Sequence, residues 1–404
     1  MSFPADLVMP DYGGRCLTGV AGSVRRALGL PPGGPTLPDG LIPDCTFDCV
    51  VLVVVDALGH AQMEAHRAAA PALARMLARG RVATLTSVLP TTTTAALTSL
   101  FTGLAPGEHG MLGHTLYLRE LGILADLLRF HPARLPGRGG LVSGETSARD
   151  LFPVATLFQA LSAAGIHTRA LMRRDLIGTP LSDIHLAGAT RVPIAAASDL
   201  CVGLRRLVEQ GPRPLFVSAY REAVDALAHV YGPGSEEEAA EVRAFFALLE
   251  GEFLDALRPE TRRNTLILIT ADHGQVHTRD AEAVRLDEHP HLAARLLMPP
   301  AGDRRTSYLY ARTEALETLE RDLAAFTDRF HVVRATDALA DGLFGRGPLA
   351  AEAPARVGDL VLLARGGATL VGHEKSPPAT PMVGRHGGAS AAEMEVPLIV
   401  IGDP

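Results

Sequence analysis

The chain has 404 residues, of which 47% are hydrophobic and 21% charged, which is typical of a globular protein with a large core. Its formal net charge of −7 argues against binding to nucleic acid polymers, whose phosphates attract basic surfaces, but it leaves a nucleotide substrate open. The four cysteines match no zinc-ribbon or redox spacing and are predicted to be reduced thiols: Cys16, Cys45, Cys49 and Cys201.

The sequence gives no sign of export or of membrane insertion. Residues 1–6 contain neither the basic nor the apolar part of a signal peptide. The most hydrophobic stretch, residues 49–55, ends at Asp56 and is far shorter than the ~20 apolar residues of a membrane-spanning helix. We therefore expect a cytoplasmic protein with no membrane partner.

Short apolar runs alternate with helical patterns along the chain. Residues 50–55 form a continuous apolar run, typical of a strand buried on both faces. A helix is predicted after Ser235, which forms a capping box with Glu238, and another from Leu316. The alternation predicts an α/β fold with a central mixed, mainly parallel sheet and helices on both faces. Further strands are predicted at residues 168–172, 215–218, 265–270, 307–310, 359–363 and 397–401.

Stretches rich in proline and glycine are predicted to be loops rather than linkers between domains. They occupy residues 30–43, 132–144 and 366–388. We therefore expect a single domain over residues 1–404. Residues 115–150 are predicted to be an insertion, or cap, near the ligand site of that domain.

Two predicted strands end at residues suited to metal binding. Asp56 follows the first strand, although it is equally suited to capping the helix that begins near Gln62. Asp272 and His273 follow the strand at residues 265–270, and Gly274 allows the chain to turn sharply there. A carboxylate oxygen together with an imidazole nitrogen suits Zn²⁺ or Mn²⁺.

Two further segments supply additional candidate ligands. Asp225 and His229 have i, i+4 spacing, so they share one helix face and can chelate a metal, although a surface pair is the commoner outcome. His386 is flanked by small residues that let the backbone approach a metal or phosphate closely. In isolation, however, a loop histidine is the simpler interpretation of His386.

Residues 91–94 are four consecutive threonines at a predicted helix start. A hydroxyl there meets unpaired N–H groups and the positive end of the helix dipole, which favours an anion. Helix capping is the alternative, and at least one of the four is expected to cap. Thr93 is the candidate nucleophile, with Thr92 and Thr94 as fallback choices.

Taken together, these residues resemble the alkaline phosphatase superfamily, and within it the type I phosphodiesterase/nucleotide pyrophosphatase branch. The order of the motifs carries the resemblance, and two segments are especially specific: residues 225–233, and His386-Gly387-Gly388 followed by residues 393–398. Thr93 has the family's spacing to Thr102-Gly103. The motifs in chain order are Asp56, Thr93, Asp225 with His229, Asp272-His273-Gly274, and His386-Gly387.

The resemblance implies a hydrolase with two divalent metal ions, Zn²⁺ with Mn²⁺ as the alternative. One ion is expected on Asp56, Thr93, Asp272 and His273, and the other on Asp225, His229 and His386. Thr93 is then expected to attack phosphorus and form a phosphothreonine intermediate, with Thr94 contributing to substrate binding. The expected substrate is a small organic phosphate ester or a nucleotide.

One position departs from the family pattern. Nucleotide pyrophosphatases usually have an asparagine three residues after the nucleophile, where this chain has Ala96. Two alternatives to a phosphodiesterase therefore stay open: a phosphomonoesterase or phosphonate hydrolase with the same core, and a metal-binding domain without turnover.

Arg173-Arg174 are considered as ligands of a distal phosphate, although a solvated pair is favoured. Several histidines near the motifs are not assigned as metal ligands: His109, His114, His277, His289 and His291.

Overall fold

The computed structural model describes residues 3–133, 135–142, 147–372 and 382–402. A seven-stranded sheet forms its centre, and five adjacent strands, from β9 to β7 in the order below, run parallel. β18 is antiparallel to both of its neighbours, so the predicted mixed, mainly parallel sheet is confirmed. In spatial order the strands are β2 (Arg81–Thr86), β18 (Glu395–Ile401), β9 (Thr265–Thr270), β1 (Cys49–Val55), β8 (Leu215–Arg221), β6 (His167–Arg173) and β7 (Thr190–Ile194).

Some helices flank the central sheet and share its hydrophobic core, whereas others contribute to two further core clusters. Every residue of β1 is buried, as expected for a strand covered on both faces. The helices are α1 (Thr18–Ala27), α2 (His60–His66), α3 (Pro71–Arg79), α4 (Thr93–Thr102), α5 (Pro106–His109), α6 (Ala148–Leu151), α7 (Leu157–Ala163), α8 (Pro180–His185), α9 (Ala197–Gln210), α10 (Ala223–Tyr231), α11 (Glu236–Leu248), α12 (Pro259–Arg263), α13 (Pro290–Arg295), α14 (Leu316–Leu323), α15 (Ala335–Ala340), α16 (Ala353–Val357) and α17 (Ala391–Met394). Shorter helical turns are a π-helix at Leu249–Leu254 and 3₁₀ turns at Asp280–Glu282 and Ala324–Phe326.

A second seven-stranded sheet is antiparallel throughout. The strands predicted at residues 307–310 and 359–363 lie here rather than in the central sheet. In spatial order the strands are β14 (Phe330–Arg334), β15 (Leu360–Ala364), β13 (Thr306–Leu309), β12 (Ala301–Gly302), β3 (Thr115–Leu118), β4 (Ile123–Asp126) and β5 (His131–Pro132).

The apolar run of β15 explains why its sheet could not be predicted. Val361 and Leu363 pack into one core cluster, while Leu360 and Leu362 pack into another on the opposite face. Both faces are therefore buried, and the sequence lacks the apolar–polar alternation of an antiparallel strand with one solvated face.

Two small sheets complete the strand inventory of the described residues. β10 (Val276–His277) pairs antiparallel with β17 (Gly384–Arg385), and β11 (Ala283–Arg285) pairs parallel with β16 (Thr369–Val371). The β10–β17 pair brings the segment that follows the central strand β9 beside the segment that precedes His386.

The predicted insertion at residues 115–150 contributes β3, β4 and β5 to the edge of the second sheet, and also α6. Residues 134 and 143–146 of that insertion, and residues 373–381 of the predicted loop at 366–388, lie outside the described residues. A single domain over residues 1–404 stays a prediction. No helix in the described ranges is long and apolar enough to cross a membrane.

Candidate active site

Three neighbouring strands of the central sheet deliver the first group of candidate ligands. β9, β1 and β8 run parallel with Val54 opposite Thr270 and Val55 opposite Arg221, so their carboxyl ends lie at one edge. The Asp56 N–H donates to the Arg221 carbonyl at 2.9 Å, which extends this alignment one residue past β1. Parallel sheets place ligand sites at this edge.

Asp56, Asp272 and His273 form a buried cluster that we call the first cluster. His273 Nε2 lies 3.6 Å from Asp56 Oδ1 and 3.4 Å from Asp272 Oδ2. Asp272 Oδ1 accepts hydrogen bonds from the N–H groups of Ala57 and His273, whereas Asp56 Oδ1 and Asp272 Oδ2 have no hydrogen-bond partner among the described residues. Two unpartnered buried carboxylate oxygens beside an imidazole match the donor set of a cation site.

Asp225, His229 and His386 form the second cluster. Asp225 and His229 lie one turn apart on α10, and His229 Nε2 is 3.3 Å from Asp225 Oδ1. His386 Nε2 is 3.8 Å from the same oxygen. His386 follows β17 of the small β10–β17 sheet rather than a strand of the central sheet.

Backbone carbonyls fix the position of a ring hydrogen in each of the three histidines. His229 Nδ1 lies 2.8 Å from the Gly384 carbonyl, His273 Nδ1 lies 3.2 Å from the Gly274 carbonyl, and His386 Nδ1 lies 2.9 Å from the Thr91 carbonyl. A carbonyl only accepts, so each Nδ1 carries a hydrogen, which leaves Nε2 as the ring nitrogen available to a metal. This is the arrangement that metal-binding histidines adopt.

The close approach of β17 to α10 depends on a glycine. A Cβ atom at Gly384 would lie 2.1 Å from the Ala228 carbonyl oxygen and 2.6 Å from Gln275 Oε1. A side chain there would push β17 away from α10, and the His229 Nδ1 contact would be lost.

The two clusters are adjacent. The His386 ring stacks on the His273 ring with centroids 3.9 Å apart. Burial and the negative charges of Asp272 and Asp225 raise the pKa of Asp56 well above its usual range. Burial and the neighbouring His273 and His229 rings lower the pKa of His386 well below its usual range. The carboxylates and imidazoles of the two adjacent clusters form a donor set that fits two divalent cations.

Thr93 is the threonine that faces the clusters. It is the first residue of α4, and its Oγ1 lies 3.1 Å from His273 Nε2. The other three hydroxyls make structural contacts: Thr91 donates to the Gly388 carbonyl, Thr92 caps the helix by accepting from the Ala95 N–H, and Thr94 donates to the Gly113 carbonyl. The geometry therefore favours Thr93 over both fallback choices.

The hydroxyl of Thr94, a predicted substrate-binding residue, points away from the cleft, and the side chain is buried. Its role in substrate binding stays a prediction, and it would have to act through the main chain. Arg173 pairs with Asp175 and Glu222, so a solvated, internally paired arginine describes it better than a phosphate ligand.

The cleft also contains polar residues that sequence reasoning did not assign. His114 Nε2 lies 3.2 Å from Asp126 Oδ1, and the His114 N–H donates to Asp303 Oδ2 at 3.2 Å. Burial lowers the pKa of His114, but its hydrogen bond and attraction to Asp126 outweigh that effect and raise the pKa overall. In the sequence, the position of His114 shortly after helix α4 could have pointed to this group. Nothing in the sequence marks Asp126 or Asp303 as part of it.

Comparison of this sequence and fold with known proteins shows which family the chain belongs to. The sequence profile of the type I phosphodiesterase / nucleotide pyrophosphatase family matches residues 50–389, which is most of the chain. The chain belongs to this family. It is accordingly a phosphoester hydrolase by family, and its two candidate metal clusters agree with the metal dependence of that family. A search of curated proteins found no match.

Solved structures share the fold of this phosphodiesterase-family chain. Murine ectonucleotide pyrophosphatase/phosphodiesterase 5 is 16% identical with a TM-score of 0.68, and the match covers 88% of each chain. Phosphonoacetate hydrolase from Sinorhizobium meliloti 1021, in complex with phosphonoformate, is 22% identical with a TM-score of 0.64. That match covers 87% of this chain and 89% of the other. The predicted alkaline-phosphatase-like fold is confirmed.

Proposed function

We propose that the chain is a two-metal phosphodiesterase that acts through a phosphothreonine intermediate on Thr93. The observation that carries the proposal is the position of the Thr93 hydroxyl, 3.1 Å from His273 Nε2 and beside two clusters of buried carboxylates and imidazoles. A murine ectonucleotide pyrophosphatase/phosphodiesterase 5 described as inactive carries a threonine-to-alanine change and holds AMP, which supports a threonine nucleophile.

The residues present fit two divalent cations, Zn²⁺ or alternatively Mn²⁺. Asp56, Thr93, Asp272 and His273 would hold one ion. Asp225, His229 and His386 would hold the other. When bound, the ions would lower the pKa of the Thr93 hydroxyl and neutralise charge on the phosphoryl oxygens.

The protein's own groups then define the reaction. Thr93 Oγ1 forms the new bond to phosphorus, and the bond from phosphorus to the leaving alcohol oxygen breaks. The N–H groups of Thr93 and Thr94 lie in the first turn of α4, where helices leave N–H groups without intrahelical partners, and they can donate to a phosphoryl oxygen. Water then cleaves the phosphothreonine and regenerates the Thr93 hydroxyl.

The proposed substrates are small phosphate diesters, including nucleotides. Structures of relatives contain AMP in one case and phosphonoformate or phosphonoacetate in others, all small anionic ligands. Because Ala96 replaces the usual asparagine, the metals and the first N–H groups of α4 would have to hold the phosphoryl oxygens. We further propose a cytoplasmic location.

The test compares turnover of bis-p-nitrophenyl phosphate and p-nitrophenyl phosphate by metal-loaded protein. Wild type is expected to prefer the diester, and Thr93→Ala is expected to lose about a thousandfold or more in kcat because the nucleophile is gone. Thr93→Ser keeps a hydroxyl and is expected to retain partial activity. Thr102→Ala, at the other end of α4, is the matched control and should stay close to wild type.

Each alternative predicts a different result. A preference for the monoester would assign a phosphomonoesterase with the same core. Full activity in Thr93→Ala would contradict the phosphothreonine route. No turnover of either ester by metal-loaded wild type would favour a metal-binding domain without catalysis.

A further inference from the structure

The cleft at Thr93 opens in two directions. A first chamber of about 470 Å³ is lined by the second cluster and Asp303. A second chamber of about 650 Å³ extends past Leu97 of α4 toward α8. Thr93, His114 and Asp126 line both chambers, so a phosphoester at Thr93 has room for a substituent in the second one. That volume lies in the range of small-molecule sites.

The inner wall of the second chamber is aliphatic. Leu97, Met172, Leu176 and Leu181 supply it from α4, β6, the following loop and α8. Nearby hydroxyls do not change this character, because Ser182 donates to the Leu176 carbonyl and accepts from Thr179. The wall therefore offers dispersion contacts and favours a saturated, apolar group.

The chamber offers little surface for stacking a nucleobase. Tyr220 is the one tyrosine, phenylalanine or tryptophan among its described lining residues, and this side chain is only 6% exposed. Its hydroxyl donates to Asp56 Oδ2, which holds the ring in place. His185, also in the lining, is 2% exposed. The aliphatic side chains of the wall are similarly buried, since Leu97, Met172 and Leu181 are 2–8% exposed, but they outnumber the aromatic rings in the described lining.

The outer part of the chamber is basic. Arg129 and Arg138 line it from the segment after β4, Arg304 lines both chambers, and Asp126 is the one carboxylate in the described lining of the second chamber. The Arg129 guanidinium forms a loose ion pair with Asp126, with Nε 3.7 Å from Oδ2, and donates no hydrogen bond to that carboxylate. Arg138 is exposed and forms no hydrogen bond or close ion pair with the described residues, although, together with a stronger hydrogen bond from Arg173, its charge lowers the pKa of the Asp175 carboxyl. Two arginines with free donors favour an anionic group at this end.

We infer that the second chamber binds a substrate substituent that is a short aliphatic chain ending in an anion, either a carboxylate or a phosphate. The inference rests on the proposed phosphodiesterase function and gives its substrate class. The ester phosphorus lies at Thr93, the chain runs along Leu97, Leu176 and Leu181, and the terminal anion reaches Arg129 and Arg138.

The experiment uses metal-loaded protein and p-nitrophenyl phosphate diesters that differ in the second substituent: butyl, 4-carboxybutyl, 4-phosphonobutyl and 5′-thymidyl. The expected kcat/KM for at least one anionic diester is about tenfold or more above that for the butyl and thymidyl diesters. Whichever of the carboxylate and phosphonate diesters is preferred identifies the anion. The double variant Arg129→Met/Arg138→Met is expected to remove this advantage without changing turnover of the butyl diester.

Arg119→Met is the matched control, since this exposed arginine lies in the same insertion but pairs with Glu352 outside the chamber. Equal rates for the butyl and anionic diesters, a thymidyl preference, or an unchanged double variant would each overturn the inference. Calorimetric binding of 5-phosphonopentanoate to Thr93→Ala, with and without the two arginine substitutions, tests the chamber independently of turnover. If metal-loaded wild type hydrolyses none of these diesters, that result contradicts the proposed function alone, because the binding measurement on Thr93→Ala still tests the chamber.

Discussion

Gln275 follows the Asp272-His273-Gly274 segment directly, yet its side chain reaches the second cluster. The Gln275 amide nitrogen donates to Asp225 Oδ1 at 2.5 Å and to the Asp225 carbonyl at 3.2 Å. Gln275 is itself held by Gln62, whose amide donates to the Gln275 carbonyl at 2.8 Å. The buried Gln275 amide thus links the segment that carries the first cluster to Asp225 of the second cluster.

Substituting Gln275→Leu is expected to weaken metal binding at the second cluster by about 10–100-fold, because residues that orient a ligand carboxylate typically contribute that much. Metal content after dialysis and competition with a chelating dye measure the loss, with one ion per chain expected where wild type holds two. Gln210→Leu, on the exposed end of α9, is the control. Wild-type affinity for both ions in Gln275→Leu would show that the amide does not position Asp225.

At the scale of the element, two neutral histidines anchor helix α4, which begins at Thr93. His109 Nδ1 accepts from the Met111 N–H, so its Nε2 carries the hydrogen and donates to Ser99 Oγ at 2.9 Å. Thr98 donates to the Thr94 carbonyl, so it accepts from His185 Nε2 at 2.8 Å. Burial is the main reason that the pKa of each histidine falls to about 3.

These two histidines predict how stability depends on pH. The unfolded chain protonates histidine near pH 6.5 but the folded chain only near pH 3, so the unfolding free energy is complete above pH 6.5 and falls as pH drops toward 3. Each histidine is expected to contribute a slope of about 1.4 kcal/mol per pH unit in that window. Urea unfolding of chelated protein at pH 7, 6, 5 and 4 measures it.

The variants His109→Gln and His185→Gln isolate each contribution. Either change is expected to lower stability at pH 7 and to flatten the acid slope by about one proton. A slope identical to wild type in both variants would mean that these rings are already protonated in the folded protein at pH 4.

At the scale of the molecule, a buried ion pair joins the two large sheets. Arg305 immediately precedes β13 of the second sheet, and Glu393 lies on α17 just before β18 of the central sheet. Both side chains are fully buried, with Nε–Oε1 at 2.6 Å and Nη2–Oε2 at 2.8 Å. Glu393 also accepts from the Gly388 N–H at 2.8 Å, two residues after His386 of the second cluster.

The change Arg305→Met is expected to lower the unfolding free energy by about 3–5 kcal/mol, because it leaves the Glu393 carboxylate buried without its cation. Arg334→Met removes the more exposed pair with Glu320 and is expected to cost less than about 1 kcal/mol. Chemical unfolding followed by circular dichroism compares the two. Equal losses would show that burial adds nothing to the Arg305–Glu393 pair.

The sequence by itself determined the five inner strands of the central sheet, the order of the motifs and every member of the two candidate clusters. Residues 265–270 were predicted with the bounds that β9 has, because an apolar run buried on both faces ends where polar ligands begin. The strands β2 and β7 were missed, since they lie at the sheet edges, are only partly buried and carry polar residues. Thr93 was selected by spacing, and only its geometry separated it from its threonine neighbours.

Tertiary structure alone decided how the remote segments meet. Neither the placement of β15 in a second sheet nor the approach of His386 to α10 through β17 has a local signature, because both depend on pairing between residues far apart in the chain. The Gln275–Asp225 contact and the wall of the second chamber were invisible for the same reason. Sequence patterns report how a segment is buried and which chemistry it carries, whereas the distances that turn side chains into a site arise only when the strands pair.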